Sequence, residues 1–325
     1  MLDLSPFGLA LGHATDPLGV TGCTVVRGID GPFRCCASLL GRASGTRELA
    51  VASPEHLVDR VDAILLTGGS AYGLDAAAGV MRWMEAHGRG YDVGSSVVPI
   101  VPAAVLFDLG VGDAGARPTP DMAAAACAAA SPRVGIDAMG SVGAGTGATV
   151  GKALGAAHAM KGGLGVAVAG AGAVQAAAVA VVNALGDVRD AQRRIIAGAR
   201  AQDGTFVDVE RAVAAVGPGE PGAAGAPPFG NTTLCVVASS VAVDRVALAQ
   251  LARAATAALH RRITPCGTTF DGDVIFAVCP PAPVAVQVPA LTLEALAVAA
   301  LEEAVERAVR HARGLPGIPG LADAG

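Results

Sequence analysis

From Leu164 to Leu185 the chain carries no charged residue. A stretch of that length invites comparison with a membrane span, which needs about 20 apolar residues. Its make-up argues otherwise: Gly165, Gly170 and Gly172 interrupt it, Gln175 and Asn183 lie inside it, and Val alternates with Ala. These are marks of buried strands, and strands of that kind need further layers packed over them.

Of the 325 residues, 52% are apolar, enough for one large domain or two with a sizeable core. Aromatics make up only 3% while there are 44 glycines, so that core must be built from small aliphatic side chains and close backbone approach. The net charge is −5, and no Lys/Arg run exceeds the pairs Arg193-Arg194 and Arg261-Arg262. Nucleic acid and anionic membrane surfaces are therefore poor partners, and a small or neutral substrate fits better. Met1-Leu2-Asp3-Leu4-Ser5-Pro6 has no basic region, which reads against a secretory signal and for the cytoplasm. The seven cysteines form no C-x-x-C pair and read as small buried hydrophobes in a reducing compartment, with no metal expected.

Along the chain, Val20–Arg27 and Arg34–Leu40 read as strands joined into a hairpin by the turn Gly28–Pro32. Val61–Leu66 is a strand ending in Thr67-Gly68-Gly69-Ser70, after which Ala71–Ala86 has helical spacing. Val97–Phe107 is strand-like but broken by Pro99 and Pro102, and Asp121–Ala130 is a short helix. Strands follow at Gly165–Ala169, Gln175–Asn183, Thr233–Ala238 and Val274–Val278, with helices at Asp244–His260 and Thr292–His311 and a mobile tail from Gly314 to Gly325. Mixed strands and helices without regular alternation suggest an α+β layered sandwich.

Three glycine-rich segments fail as nucleotide sites. Gly110–Gly115 matches G-x-G-x-x-G but runs into Arg117-Pro118-Thr119-Pro120 where a phosphate-binding helix should start. Thr146–Ala153 approaches a phosphate loop but has Thr for the first Gly and Ala153 for the magnesium-binding hydroxyl, and Gly170-Ala171-Gly172 lacks a third Gly. No H-E-x-x-H occurs, and the six scattered histidines suggest neither zinc site nor Ser/His/Asp triad. Lys152, delivered by the glycine-dense loop Gly140–Gly151, is either a buried lysine serving a site or a solvated one. Asp271-Gly272-Asp273 is a turn, a calcium-like loop, or a pair of acids that could orient an amine.

The remaining candidate is a junction. A Gly/Pro-rich stretch, Val216–Gly230, runs directly into Asn231-Thr232-Thr233 and the apolar run Leu234–Ala238. It reads as a surface loop entering a buried strand, or as a self-processing site. Cleavage before Thr232 would give one residue a hydroxyl nucleophile and a free α-amine, with a pKa of about 7.7–8.0, as its base.

Segments spread along the whole chain together resemble the DmpA-type family of self-cleaving N-terminal nucleophile hydrolases, which includes aminopeptidases, β-peptidyl aminopeptidases and nylon-oligomer hydrolases. They are Gly12–Asp16 with Thr21–Val25, Leu66–Asp75, Gly143–Lys152, Asn183, Gly230–Leu234 and Thr269–Asp273, in the family's order. The resemblance implies a four-layer αββα sandwich, a single domain cut into 1–231 and 232–325, and a homo-oligomer of such cleaved pairs without metal or cofactor. It implies roles too: Thr232 as nucleophile after cutting of the Asn231–Thr232 bond, Asn183 on the oxyanion, and Lys152 as the positive charge beside the amine. Asp271 and Asp273 would orient Thr232, and Tyr72 would line the substrate site. Thr232 with the Asp-x-Asp pair is more similar to the nylon-oligomer branch than to aminopeptidases with Ser and a Ser-x-Glu pair. The expected activity is amide hydrolysis on short peptides or amide oligomers. A non-processing member of the fold that binds small molecules or partners is the alternative.

Overall fold

In the computed structural model, which describes residues 1–215, 230–281 and 288–324, the buried strands pair into two sheets. Along the chain the strands of these two sheets begin with β1 (Leu9–Asp16), β2 (Thr21–Gly28), β3 (Phe33–Leu39), β4 (Gly45–Arg47), β5 (Arg60–Val61), β6 (Ala63–Thr67) and β7 (Ala103–Val105). After them come β8 (Gly163–Ala171), β9 (Val174–Asn183), β10 (Thr232–Ser239) and β11 (Val274–Cys279). The long helices are α1 (Ala77–Ala86), α2 (Pro120–Ala129), α3 (Arg245–Arg262) and α4 (Ala290–Arg310). One sheet has the order β1-β2-β6-β7-β4, the other β8-β9-β10-β11-β3-β5.

Two-residue alternation sorts each strand's side chains between two cores. Val26, Ile64 and Leu66 of the first sheet meet Val179, Leu234, Val236 and Phe276 of the second. The opposite face of the first sheet, with Val25 and Leu65, packs on Val80 and Met84 of α1 and Ala126 of α2. On the far side Cys235, Val237 and Ile275 pack on Leu248 and Leu259 of α3 and Leu301 and Val305 of α4. The result is a four-layer αββα sandwich. Small residues let the layers close. A Cβ on Gly165 of β8 would stand 2.0 Å from the Ala304 carbonyl oxygen of α4, and one on Gly12 of β1 would stand 2.0 Å from that of Ala126 in α2.

The uncharged tract from Leu164 to Leu185 is the β8–β9 hairpin, paired from Gly163↔Val182 to Ala171↔Val174. Among the described residues no helix is long and apolar enough to cross a membrane. The expected helix at Ala71–Ala86 divides into a 3₁₀ stretch, Ser70–Ala76, and α1. Two expectations are corrected. The strands around Gly28–Pro32 do not form a hairpin: β2 pairs with β1 and β6, β3 with β11 and β5, and the turn crosses between sheets. The hairpin partner of β2 is Leu9–Asp16, whose apolar pattern is broken by Gly12, His13, Thr15 and Asp16. Nor is the tail loose. Pro319 accepts the Lys161 N–H at 2.9 Å, Ala312 accepts the Ala322 N–H at 3.1 Å, and the Asp323 carboxylate accepts the N–H groups of Gly314 and Gly320. Of the expected linker, residues 216–229 lie outside the described residues.

Candidate active site

Register brings the predicted residues together. β9 and β10 run antiparallel with Asn183 opposite Thr232, and β10 and β11 run parallel from Leu234↔Val274 onward. The turn before β11 therefore lies beside the start of β10, and a parallel bridge joins Asn231 to Asp271. The glycine-rich loop reaches the same place from the first half of the chain: the Gly151 and Lys152 N–H groups donate to the Gly186 and Leu185 carbonyls, each at 3.0 Å. Asn183, Asn231, Thr232, Asp271 and Asp273 are all buried.

The Thr232 hydroxyl donates to the Asn231 carbonyl oxygen at 2.6 Å, and the same oxygen accepts the Gly272 N–H at 2.9 Å. One residue earlier, the Gly230 carbonyl accepts from Lys152 Nζ at 2.6 Å and from Asn183 Nδ2 at 2.9 Å. Asn183 uses its whole amide: Oδ1 accepts from Lys152 Nζ at 2.9 Å and from the Thr149 N–H at 3.0 Å, and Nδ2 also reaches the Phe107 carbonyl at 3.2 Å. The Asn183 amide, expected on an oxyanion, thus lies on the carbonyl one residue before the Asn231–Thr232 bond, and the Lys152 ammonium, expected beside an amine, shares it.

Asp273 accepts the Thr233 N–H at 2.5 Å, and its other oxygen faces Cys266 Sγ at 3.4 Å and the Gly267 N–H at 3.3 Å. Asp271 accepts the Thr268 N–H at 2.7 Å. Burial, reinforced by the charge of Asp271, pushes the Asp273 carboxyl up to about 7. Burial also raises Asp271, against the pull of the Thr268 hydrogen bonds and Lys152. Burial pushes the Lys152 ammonium down to about 7, while Asp271, Asp273 and Asp108 draw it back up. The site therefore has groups of both signs that change charge near neutrality, as acid–base chemistry requires. Beside it a cavity of about 120 Å³ opens against Gly230 and Asn231, with Phe107, Val111, Ala159 and Ile318 among its walls.

Tyr72 stands apart from these contacts. It lies in the 3₁₀ turn after β6, is 62% exposed, and has the Arg117 guanidinium 4.0 Å over its ring. The sequence also concealed several supports. Asp108 is buried and accepts from the Thr21 hydroxyl and the Gly69 N–H, each at 2.7 Å. Lys161, fully buried, donates to the carbonyls of Gly145, Ala148 and Gly162 at 2.8, 2.8 and 2.9 Å and so ties down the loop that carries Lys152. One histidine does meet a hydroxyl, His13 Nδ1 lying 2.9 Å from Thr24 Oγ1, but Thr24 Oγ1 also accepts the Ala144 N–H at 3.1 Å, so the pair braces the same loop. Nothing in the local sequence marks these residues. The signal is their position opposite glycines that leave backbone groups to be satisfied.

The model of peptidase family S58 matches residues 7–321. An uncharacterized aminopeptidase of Mycobacterium tuberculosis is 44% identical over 244 residues, 73% of this chain and 67% of that protein. A 6-aminohexanoate-oligomer endohydrolase of Agromyces sp. is 31% identical over 276 residues, 83% of this chain and 72% of that protein. Among solved structures, the L-aminopeptidase D-Ala-esterase/amidase of Ochrobactrum anthropi, described as a variant among the Ntn hydrolase fold, superposes with a TM-score of 0.69 at 18% identity, over 96% of this chain and 87% of that one. The sandwich described above is this Ntn hydrolase fold.

Proposed function

The chain belongs to peptidase family S58 and is an amide or peptide hydrolase, and from that premise we propose that Thr232 is its nucleophile, released when the protein cuts its own Asn231–Thr232 bond. The observation that carries this reading is the contact of the Thr232 hydroxyl with the Asn231 carbonyl, 2.6 Å from its oxygen, in a peptide that is buried and held from both sides. In the cutting step the hydroxyl oxygen bonds to the Asn231 carbonyl carbon. The bond from that carbon to the Thr232 nitrogen then breaks, the hydroxyl proton ends on that nitrogen, and water hydrolyses the resulting ester.

The products are chains 1–231 and 232–325 within one domain. The new α-amine of Thr232 then serves as base for its own hydroxyl, with a reference pKa near 7.7–8.0 that Lys152 lowers to the extent that it is protonated. Once the cut frees the end of the larger chain at Asn231 and that end swings aside, Asn183 Nδ2 and Lys152 are released from the Gly230 carbonyl and can hold the oxyanion of an incoming amide. A donor of this kind is worth roughly 3–4 kcal/mol of barrier elsewhere. Asp273, on the N–H of Thr233, and Asp271 fix the start of β10 and orient the amine. Tyr72, standing outward beside Arg117, is left for contacts with the far end of a substrate.

The substrates are short peptides or linear amide oligomers, consistent with the names of both relatives. The seven free thiols suit a reducing compartment, supporting the cytoplasm, and the working form is a homo-oligomer of cut pairs. Denaturing electrophoresis with N-terminal sequencing of the smaller band tests the core of the proposal. A chain that stays whole, or that remains active as Thr232→Ala, overturns it.

A further inference from the structure

The carbonyl that the cut must attack is held by the backbone N–H of Gly272, the middle residue of the Asp271–Asp273 turn. The Gly272 N–H lies 2.9 Å from the Asn231 oxygen. That direction is fixed from behind. In a trans peptide the C=O and N–H point opposite ways, and the carbonyl of the same peptide, that of Asp271, accepts the N–H groups of both Arg42 and Ala43 at 3.0 Å. Two donors on its carbonyl polarise this peptide and strengthen its N–H as a donor.

The fit demands glycine on both sides of the clamp. A Cβ on Gly272 would stand 2.6 Å from the Ala43 carbonyl oxygen, and one on Gly41, whose φ is +77°, would stand 2.1 Å from that of Asp271. Just beyond, the Asp273 carbonyl accepts the Leu40 N–H at 2.8 Å, so the turn is stitched to residues 40–43 at several points.

We propose that the Gly272 N–H, aimed by the Arg42–Ala43 backbone clamp on Asp271, stabilises the oxyanion that forms when Thr232 attacks the Asn231 carbonyl. As the Thr232 oxygen bonds to the carbonyl carbon, the π electron pair moves onto the Asn231 oxygen. It returns when the bond to the Thr232 nitrogen breaks and the hydroxyl proton passes to that nitrogen. A donor 2.7–3.1 Å from the oxyanion position is the geometry that lowers such a barrier, and 2.9 Å falls within it. The inference rests on the self-cutting reading above and adds to it which group bears the developing charge.

The test removes the N–H while keeping the backbone shape, at the cost of a weaker acceptor at the Asp271 carbonyl. Glycolic acid placed at position 272 of the full-length chain by cell-free translation turns that amide into an ester of nearly the same shape. Cutting is followed by denaturing electrophoresis, and the same replacement in a Thr232→Ala chain reports stability by urea unfolding. The expected result is cutting slowed about 10²–10³-fold, with a stability loss equivalent to about tenfold in the folding constant, since in the Thr232→Ala chain the Asn231 carbonyl loses its remaining donor. A hydrogen bond that only supports the fold predicts equal losses in the two measurements. Cutting within about threefold of the natural chain, or losses that match, overturns the proposal. Should the ester chain not fold, Gly41→Ala, which displaces the Asp271 carbonyl, serves in its place, and unchanged cutting there overturns it equally. A natural chain that never cuts refutes the nucleophile assignment itself, whereas a natural chain that cuts beside an unaffected ester refutes only the role of Gly272.

Discussion

Replacing Asn183 by Leu removes an amide of nearly equal size from a fully buried site. Its four contacts then fall into two classes. Lys152 Nζ and the Gly230 carbonyl retain each other at 2.6 Å, so neither is orphaned. The Thr149 N–H and the Phe107 carbonyl lose a partner at 3.0 and 3.2 Å. Each unsatisfied buried group costs about 1–3 kcal/mol, giving about 2–6 kcal/mol, from which the added apolar burial of Leu subtracts about 1–2 kcal/mol. The expected net loss is centred on about 2.5 kcal/mol, between bounds of about 0 and 5 kcal/mol. The assay is urea unfolding of Asn183→Leu against Asn183 in chains that both carry Thr232→Ala, so that cutting does not intervene. The loss of the Thr232 hydroxyl is common to both and cancels. No loss, or a gain in stability, refutes the reasoning, because it means that the amide does not hold the loop and the strand end together.

Thr232→Ala is expected to leave the chain whole and folded, since the lost hydroxyl removes little volume, and Thr232→Ser to retain cutting; electrophoresis and circular dichroism check both. Gly165→Ala places a methyl against the Ala304 carbonyl of α4 and is expected to cost about 1–3 kcal/mol or more in thermal or urea unfolding. Lys152 and Lys161 are both held down to about 7, against about 10.4 in the unfolded chain, so from pH 7 to 8.5 the unfolded state binds more protons and stability climbs with pH. Lys161→Met in the Thr232→Ala chain is expected to remove about half of that climb, and an undiminished climb in the urea midpoint argues against it.

Much of the layer structure was legible because period-two alternation survives in β8, β9, β10 and β11, each with an apolar side chain for the sheet and one for the helices. β1 was not, since its polar residues face the loop that they brace, with His13 and Thr15 bonding to Thr24 and Gly143. The site residues other than Tyr72 and Lys152 converge through register: a strand opposite Asn183 and a parallel neighbour beginning near Asp273 fix where Thr232 must lie. What sequence could not supply was which carbonyl each donor holds. Asn183 meets Gly230 and Gly272 meets Asn231, a distinction of one residue set by backbone direction in three dimensions. Lys161 was invisible for a similar reason, because its partners are backbone carbonyls of a loop whose path no side chain announces.

β10 lies inside the second sheet, with β9 on one side and β11 on the other. The proposed scission at its first residue would therefore sever the chain without unpairing a strand, and the smaller fragment would keep its place as the middle of the larger one's sheet. Before such a cut, folding is a first-order event with both halves tethered. After it, recovery from complete unfolding would require two separate molecules to meet, and its yield would depend on dilution. Maturation by this route would erase the folding path while leaving the folded object intact: each molecule would assemble once and persist by not coming apart.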